Sequence, residues 1–202
     1  TSATVRNITT NGKTYDRPVA FNGVGGSWRL QDNMTMGQTR TTTLTNGSIN
    51  LQSFTLQTGL FSSSNSNARQ ISFGTGNITC NGLGGTLWTT STATNLTATG
   101  SKTVNISYGG AIATSVLNGA MSEANSFSFN FTSGTYTLTF LGASGSTADN
   151  VNFTGFSGTL AATGTGIIYG NLTLSPTMTL TASTSAMTFG STSATAKTIT
   201  TS

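Results

Sequence analysis

Histidine is absent from this sequence, and acidic residues, proline and cysteine are scarce. The 202 residues include four carboxylates, two prolines and one cysteine, Cys80. Without histidine the chain cannot form a Ser-His-Asp or Cys-His nucleophile arrangement, or a histidine-based metal site. Cys80 cannot form an intrachain disulfide, and its alternation with Ile78 in "GNITCNG" predicts a buried thiol. We therefore expect a protein that is not an enzyme and that carries no metal or cofactor.

Charge of either sign is also scarce. Charged residues make up 6% of the chain, with a formal net charge of +4. The eight Lys and Arg residues are scattered, whereas nucleic-acid binding requires a concentrated basic patch. No apolar run approaches the roughly 20 residues that a membrane-spanning helix requires. We therefore expect neither a nucleic-acid partner nor a membrane span.

Short uncharged polar residues take the place of charge. Thr, Ser, Asn and Gly fill most of the remaining positions, while 35% of the residues are hydrophobic and the mean hydropathy is −0.02. Disordered chains usually have more charge or proline and fewer apolar residues, so this chain is expected to fold. The composition is common on extracellular β-structures. An extracellular, cell-surface or virion location is therefore expected.

Apolar residues recur at every second position. In "KTVNISYGG", Val104, Ile106 and Tyr108 alternate with polar residues, and this pattern predicts a half-buried strand. The same alternation occurs at Ile71/Phe73, Phe127/Phe129/Phe131, Tyr136/Leu138/Phe140, Val151/Phe153, Leu172/Leu174, Met178/Leu180 and Met187/Phe189. Only the segment Gly110–Ser126 has room for a helical turn. The chain is therefore predicted to be all-β.

Two all-β architectures fit this alternation. Similar strand cores return at irregular intervals of roughly 17–33 residues, which favours a single-stranded parallel β-solenoid with coils of varying length. The dipeptide Asn46-Gly47 is typical of a tight hairpin turn and keeps an antiparallel β-sandwich open as the alternative. The parallel β-solenoid is the predicted fold.

The two ends of the sequence resemble each other. Thr1–Asn11 reads "TSATVRNITTN" and Thr192–Ser202 reads "TSATAKTITTS", an offset of 191 residues. A stacked coil continues into another copy of itself, and unpaired edge strands invite such association. We therefore interpret residues 1–202 as one solenoid unit, one repeat of a longer tandem or stacked array. The predicted assembly residues are Thr1, Ile8, Thr192 and Ile199, with both isoleucines expected in one apolar row of adjoining units.

Several phrases carry a resemblance to known proteins. "FNGVGGSWRLQDNMTMG", the long stretch "RTTTLTNGSINLQSFTLQTGLFSSSNSNARQISFGTGNITCNG" and "IIYGNLTLSPTMTLTA" resemble the Thr/Ser/Gly-rich repeat proteins of aquatic phages and bacteria, described as tail-fibre-like or adhesin-like. The resemblance covers most of the chain and includes no catalytic signature. It implies a structural part of an extracellular or virion-borne fibre, built by head-to-tail stacking.

Binding to surface glycans is the alternative function. Trp28 and Trp88 each follow a glycine pair, and exposed indoles stack on sugar rings while Arg29 could bind their hydroxyls. If both tryptophans fill the core instead, the adhesin hypothesis loses its platform. A glycan-cleaving tailspike would need two carboxylates across the scissile bond, and Asp16 and Asp32 are the candidates that coiling could bring together. Otherwise they are solvated turn residues that pair with Arg17 and Arg29.

Threonine-rich phrases suggest a further, weaker hypothesis. Thr41–Thr45, Thr135–Phe140 and Thr177–Ala182 would place threonines in outward rows, as in ice-binding solenoids. Such a face needs regular repetition, but these phrases recur at uneven intervals. Threonine also has high β-propensity, which explains its frequency without a binding role.

Overall fold

The structure is a computed structural model, and it describes residues 4–142, 145–161 and 164–201. Strands and short turns make up nearly all of these residues, and every strand pair among them is parallel. Each coil of the chain lies on the previous one, and together the coils form a β-solenoid of about eight turns. The predicted fold is therefore confirmed, and the antiparallel sandwich is excluded. None of the helical structure in these ranges has the length and apolar character that a membrane crossing requires.

The described residues contain strands of 2 to 12 residues and one 3-10 turn, which falls at Glu123–Asn125 within the predicted segment. The strands, in chain order, are β1 (Val5–Ile8), β2 (Thr14–Tyr15), β3 (Val19–Leu30), β4 (Met34–Met36), β5 (Thr41–Asn50), β6 (Thr55–Thr58), β7 (Leu60–Ser62), β8 (Arg69–Ser72), β9 (Asn77–Cys80), β10 (Gly85–Thr90), β11 (Leu96–Thr99), β12 (Thr103–Ile106), β13 (Thr114–Asn118), β14 (Ser128–Phe131), β15 (Thr137–Phe140), β16 (Ser146–Ala148), β17 (Val151–Asn152), β18 (Thr159–Ala161), β19 (Gly166–Ile168), β20 (Leu172–Thr173), β21 (Thr179–Leu180), β22 (Met187–Phe189) and β23 (Ile199–Thr200).

Successive coils contribute to three parallel sheets. Within the described ranges, sheet A has the order β1-β3-β5-β7-β10-β13-β15-β18-β21, with β8 and β11 extending it beside β5. Sheet B has the order β2-β4-β6-β9-β12-β14-β17-β20-β23, and sheet C has the order β16-β19-β22. Strands β3 and β5 each span two columns of sheet A. Their amino-terminal parts continue through β7 and β10 to β21, and their carboxyl-terminal parts lie between β1 and the pair β8–β11. Strand β21 therefore ends one column and β1 begins the other, while β2 and β23 are the two edges of sheet B.

Coil length varies, but the strands of sheet B remain in register. Thr14 pairs with Thr35, 21 residues later. Leu172 pairs with Ile199, 27 residues later. The extra residues are accommodated in the connections between strands, which lie on the surface and tolerate insertions. Uneven sequence spacing is thus compatible with a regular stack.

Inward side chains form continuous apolar rows along the axis. One row of sheet B runs through Met34, Leu56, Ile78, Val104, Phe129, Val151 and Leu172, all buried. Neighbouring rows meet through aromatic contacts, and the Trp88 ring stacks on Phe61 with centroids 4.7 Å apart. Ile71, Phe73, Ile106 and Phe127 are also buried, as the alternation predicts. Burial of these rows supplies the main driving force for folding.

Close packing between coils restricts some turn positions to glycine. A Cβ atom on Gly59 would lie 2.0 Å from the carbonyl oxygen of Gln38 in the preceding coil. Real Cβ contacts are never that short, so any other residue would push the two coils apart. Gly59 therefore marks a corner where backbone lies directly on backbone.

Arg69 is the one charged side chain that is buried among the described residues. Its side chain is buried, and its guanidinium donates hydrogen bonds to the carbonyl oxygens of Ser63, Asn67 (2.9 Å), Thr92 (3.2 Å) and Thr94 (2.6 Å). Five donors in a fixed planar fork suit such a set of backbone acceptors. Arg69 thus ties together two loops that belong to successive coils.

Cys80 occupies an inward position of sheet B, as predicted. Its side chain is fully buried, and this burial raises the pKa of the thiol to about 12. The reactive thiolate is therefore both inaccessible and scarce at neutral pH. We expect a water-soluble thiol reagent to label Cys80 only after the protein is denatured. Labelling is measured from the absorbance of the chromophore that the reagent releases. Rapid labelling of the native protein would contradict this orientation of β9.

Candidate functional site: the two open ends of the solenoid

The carboxyl-terminal end of the stack is an apolar surface. Leu180 on β21, Met187 and Phe189 on β22, and Ile199 on β23 are all exposed. Leu180 continues the row of Leu160, and Ile199 continues the row of Leu172. These side chains occupy core positions of the last coil, and among the described residues no further strand pairs with β21, β22 or β23 on their outer side. We call this surface the C-terminal face.

The amino-terminal end also exposes apolar side chains. Val5 on β1 and Tyr15 on β2 are exposed, while Ile8 and Val19 are partly buried against the core. Between them lies a depression of about 360 Å³ that reaches Met34 in the next coil. Strands β1 and β2 have unpaired backbone groups on their outer side among the described residues. We call this surface the N-terminal face.

The N-terminal face also carries cationic side chains. Arg6 aligns with Trp28, which packs against Phe21, with ring centroids 5.3 Å apart. Lys13 lies one position before the Thr14–Thr35 pair and lines the depression. Charges at inward positions of an edge strand disfavour indiscriminate strand addition. Long cationic side chains can nevertheless cover apolar surface while their charged ends reach water.

The assembly residues predicted from the terminal resemblance lie in different environments. Ile8 belongs to the edge strand of sheet A, whereas Ile199 belongs to the edge strand of sheet B. The expectation that both isoleucines occupy one apolar row is therefore wrong. The similar phrases meet different pairing partners, and tertiary pairing, not local sequence, decides which sheet a strand joins. Thr1 lies outside the described residues, so its predicted role has no structural counterpart here.

Thr192 makes hydrogen bonds to Glu123 on the 3-10 turn. The Thr192 amide donates to Glu123 Oε2 over 2.9 Å, and the Thr192 hydroxyl donates to the same oxygen over 2.8 Å. The Ser191 hydroxyl donates to Glu123 Oε1. These bonds, chiefly the one from Ser191, lower the pKa of Glu123 to about 2. Glu123 therefore fastens the last connection of the chain to the 3-10 turn.

The three residues proposed to contact glycans do not form one site. Trp88 is fully buried, and its Nε1 donates to the Thr90 hydroxyl over 3.1 Å, so its predicted glycan contact is wrong. Trp28 is partly buried, and a Cβ on Gly26 would lie 2.9 Å from its ring. Arg29 follows Trp28 in the strand, so it points to the opposite face, where Nη2 donates to Asn7 Oδ1 over 3.0 Å. The glycine-rich phrases thus make room for indoles that pack inside.

Asp16 and Asp32 do not act as a pair. Asp16 follows β2 and accepts a hydrogen bond from Arg40 Nε at 2.8 Å, which lowers the pKa of the Asp16 carboxyl. Asp32 precedes β4 and accepts the backbone N–H of Thr10 at 2.9 Å, which lowers the pKa of the Asp32 carboxyl. The prediction that these two carboxylates pair with Arg17 and Arg29 is therefore wrong. Two carboxylates at opposite ends of adjacent strands, each already engaged, do not match the geometry of glycoside hydrolysis.

A shallow groove of about 500 Å³ lies on the outer side of sheet A. It follows the irregular part of β3, where Asn22 pairs with Asn46 and Ser27 pairs with Ser48, so that four residues lie opposite one. Its lining includes Ser48, Gln70 and Thr97 but no aromatic ring. The groove therefore lacks a stacking platform for sugars.

Comparison with known proteins adds no family to these observations. Within the described ranges, no group of three or more His, Cys, Asp or Glu side chains could hold a metal ion. No protein-family model, no curated protein and no solved structure matches this chain.

Proposed function

We propose that this protein is a structural, non-catalytic component of an extracellular or virion-associated fibre, and that it extends by stacking copies head to tail. The observation that carries the proposal is that the buried apolar rows run to both ends of the stack and end in exposed side chains. A further coil would bury the apolar side chains that are exposed at each end, and a second copy of the protein can provide that coil.

Strand direction favours head-to-tail contact. A copy translated along the axis would bring its β2 beside β23, continuing sheet B, and the amino-terminal part of its β3 beside β21, continuing that column of sheet A. All strands would still be parallel. Contact between two like ends would reverse strand direction and break that pattern. Heterologous contacts that do not close into a ring produce open filaments.

The energetic gain comes mainly from the C-terminal face. Transfer of a large apolar side chain from full exposure to full burial contributes about 1.5–3 kcal/mol. The four side chains of this face are 40% to 55% exposed, so each contributes about half of that. Four such side chains, together with newly paired edge strands, supply a favourable contact that is offset by the lost freedom of the two copies. Arg6 and Lys13 on the incoming face select a partner that lets their charged ends reach water.

The alternative of a glycan-binding adhesin has less support. Trp88 is buried, Trp28 packs under a glycine-rich segment, and the groove on sheet A lacks an aromatic ring. The adhesin hypothesis also does not explain why both ends of the solenoid expose apolar side chains.

Replacing Ile199 by aspartate tests the proposal, because the chain offers a matched control. Ile199 is 55% exposed on the C-terminal face, and Ile112 is 63% exposed on the flank of the solenoid. A charge on the C-terminal face would have to be desolvated in the stacked contact, whereas a charge on the flank stays in water. We expect I199D to shift the protein to monomers in sedimentation velocity, while I112D assembles like the wild type.

Both variants should retain the wild-type circular dichroism spectrum, since neither side chain is buried in a single copy. Equal assembly of I199D and the wild type would contradict stacking through the C-terminal face. Equal disruption by I112D would move the contact to the flank and contradict the axial arrangement.

A further inference from the structure

The outer side of sheet B carries a regular array of short polar side chains. Every strand pair of sheet B keeps its register without a bulge among the described residues. One outward rank therefore has a single residue from each strand. Its members are Thr14, Thr35, Gln57, Thr79, Asn105, Asn130, Asn152, Thr173 and Thr200.

A second outward rank lies two residues away on the same strands. Its central members are Thr55, Asn77, Thr103 and Ser128. We call the two ranks together the sheet B face. Neighbouring residues lie about 4.8 Å apart along the axis and about 6.6 Å apart along a strand. Hydroxyl and amide groups thus repeat on two axes at fixed spacing, and neither rank includes a charged or aromatic residue.

Hydrogen bonds between coils hold these side chains in place. Asn130 Nδ2 donates to Asn105 Oδ1 over 3.1 Å, and Asn105 Nδ2 donates to Asn77 Oδ1 over 3.2 Å. The Thr79 hydroxyl also donates to Asn77 Oδ1, over 3.1 Å. Side chains that are ordered before binding lose less conformational entropy when they bind. The hydrogen-bonding positions left on the sheet B face therefore have a defined arrangement.

Sheet A does not offer a comparable surface. Its register shifts between Thr86 and Trp88 and again within β3. Leu60 and Leu117, both partly exposed, interrupt its outward ranks. The threonine-rich phrases Thr41–Thr45, Thr135–Phe140 and Thr177–Ala182 all contribute their strands to sheet A. The expected threonine array therefore falls on the less regular sheet.

We infer that the sheet B face binds ice. A crystal of water presents hydrogen-bonding groups that repeat in two dimensions, and an array of fixed hydroxyl and amide groups can anchor matching water molecules. A single sugar or peptide would engage only a few of the nine rungs, and it would find no ring to stack on and no charge to pair with. The uneven sequence intervals that argue against such a surface are absorbed by the loops. This inference does not rest on the fibre proposal.

Two threonine-to-tyrosine variants in one coil test the inference. Thr79 lies on the sheet B face, and Thr89 lies on the outer side of β10 in sheet A, where it pairs with Ser62. Tyrosine is tolerated on exposed strand positions but would hold the sheet B face away from a flat crystal. The probe is fluorescently labelled protein, incorporated into a slowly growing ice hemisphere at low protein concentration.

We expect the wild type and T89Y to be incorporated into the ice, and T79Y to be incorporated about tenfold less, a difference of about 1.4 kcal/mol. Thermal melting of all three proteins checks that the fold is kept. Exclusion of the wild type from ice would overturn the inference, as would equal loss in T79Y and T89Y. Retention of the wild type on insoluble chitin or cellulose, but not in ice, would also overturn it.

Discussion

Replacing Phe129 by aspartate is expected to prevent folding. Phe129 is fully buried in the inward row of sheet B, and its ring packs against Phe140 and Trp88, with centroids 5.3 Å and 6.0 Å apart. Loss of a buried phenylalanine costs about 3–5 kcal/mol on its own. The introduced carboxylate would in addition be unpaired in an apolar environment, and the two costs together approach the whole stability of a typical domain.

The adjacent residue provides the matched control. Asn130 points to the outer side of the same strand, where its side chain donates one hydrogen bond to Asn105. We expect N130D to unfold cooperatively, with a free energy of unfolding within about 1 kcal/mol of the wild-type value. Circular dichroism during heating distinguishes the two variants. A cooperative thermal transition in F129D at the wild-type temperature would contradict the assigned orientation of β14.

Replacing Arg69 by alanine is expected to destabilise the protein by about 2–3 kcal/mol. The substitution would leave the carbonyl oxygens of Ser63, Thr92 and Thr94 without their donor, and that of Ser63 belongs to a buried residue. The loops that carry these carbonyls belong to successive coils, so their loosening exposes the apolar rows beneath them. Lysine at this position would restore little of the lost stability, because its ammonium group cannot reproduce the planar fork of the guanidinium donors.

Arg29 serves as the control for Arg69. Its guanidinium donates to Asn7 on the outer surface, where water can replace the lost hydrogen bonds. We expect R29A to remain within about 1 kcal/mol of the wild type in urea denaturation. An R69A variant as stable as R29A would show that the buried guanidinium does not hold the two loops.

The alternation of apolar residues predicts the inward side of the strands well. Ile106, Phe129 and Phe153 are buried as expected, and Cys80 lies among them. The same alternation places Arg69 two residues before Ile71, on the inward side. The burial of Arg69 can therefore be predicted from its spacing to Ile71, although charged side chains usually lie on the surface.

Pairing between distant segments is harder to predict from the sequence. Asp16 pairs with Arg40 rather than with the adjacent Arg17, because the next coil brings Arg40 beside it. Likewise, Ile8 and Ile199 have similar neighbours in sequence but belong to different sheets. Loop lengths decide such alignments, and they follow no fixed period.

The sheet B face has no single sequence motif. Its ranks mix Thr, Asn, Ser and Gln, so a search for threonine repeats misses them. The signal lies in the polar positions of the alternating stretches, such as Thr79 beside Ile78 and Asn105 between Val104 and Ile106. These positions form a rank only after the register between coils is known.

Electron microscopy of the unmodified protein, after purification under native conditions, tests axial stacking most directly. Nine rungs spaced by about 4.8 Å give each copy a rise of about 40 Å along the axis. The account predicts long, unbranched filaments with an axial repeat near 40 Å, and with sheets A and B continuous across the junctions. Uniform, compact monomers at concentrations well above micromolar, or filaments joined through the flanks, would contradict it.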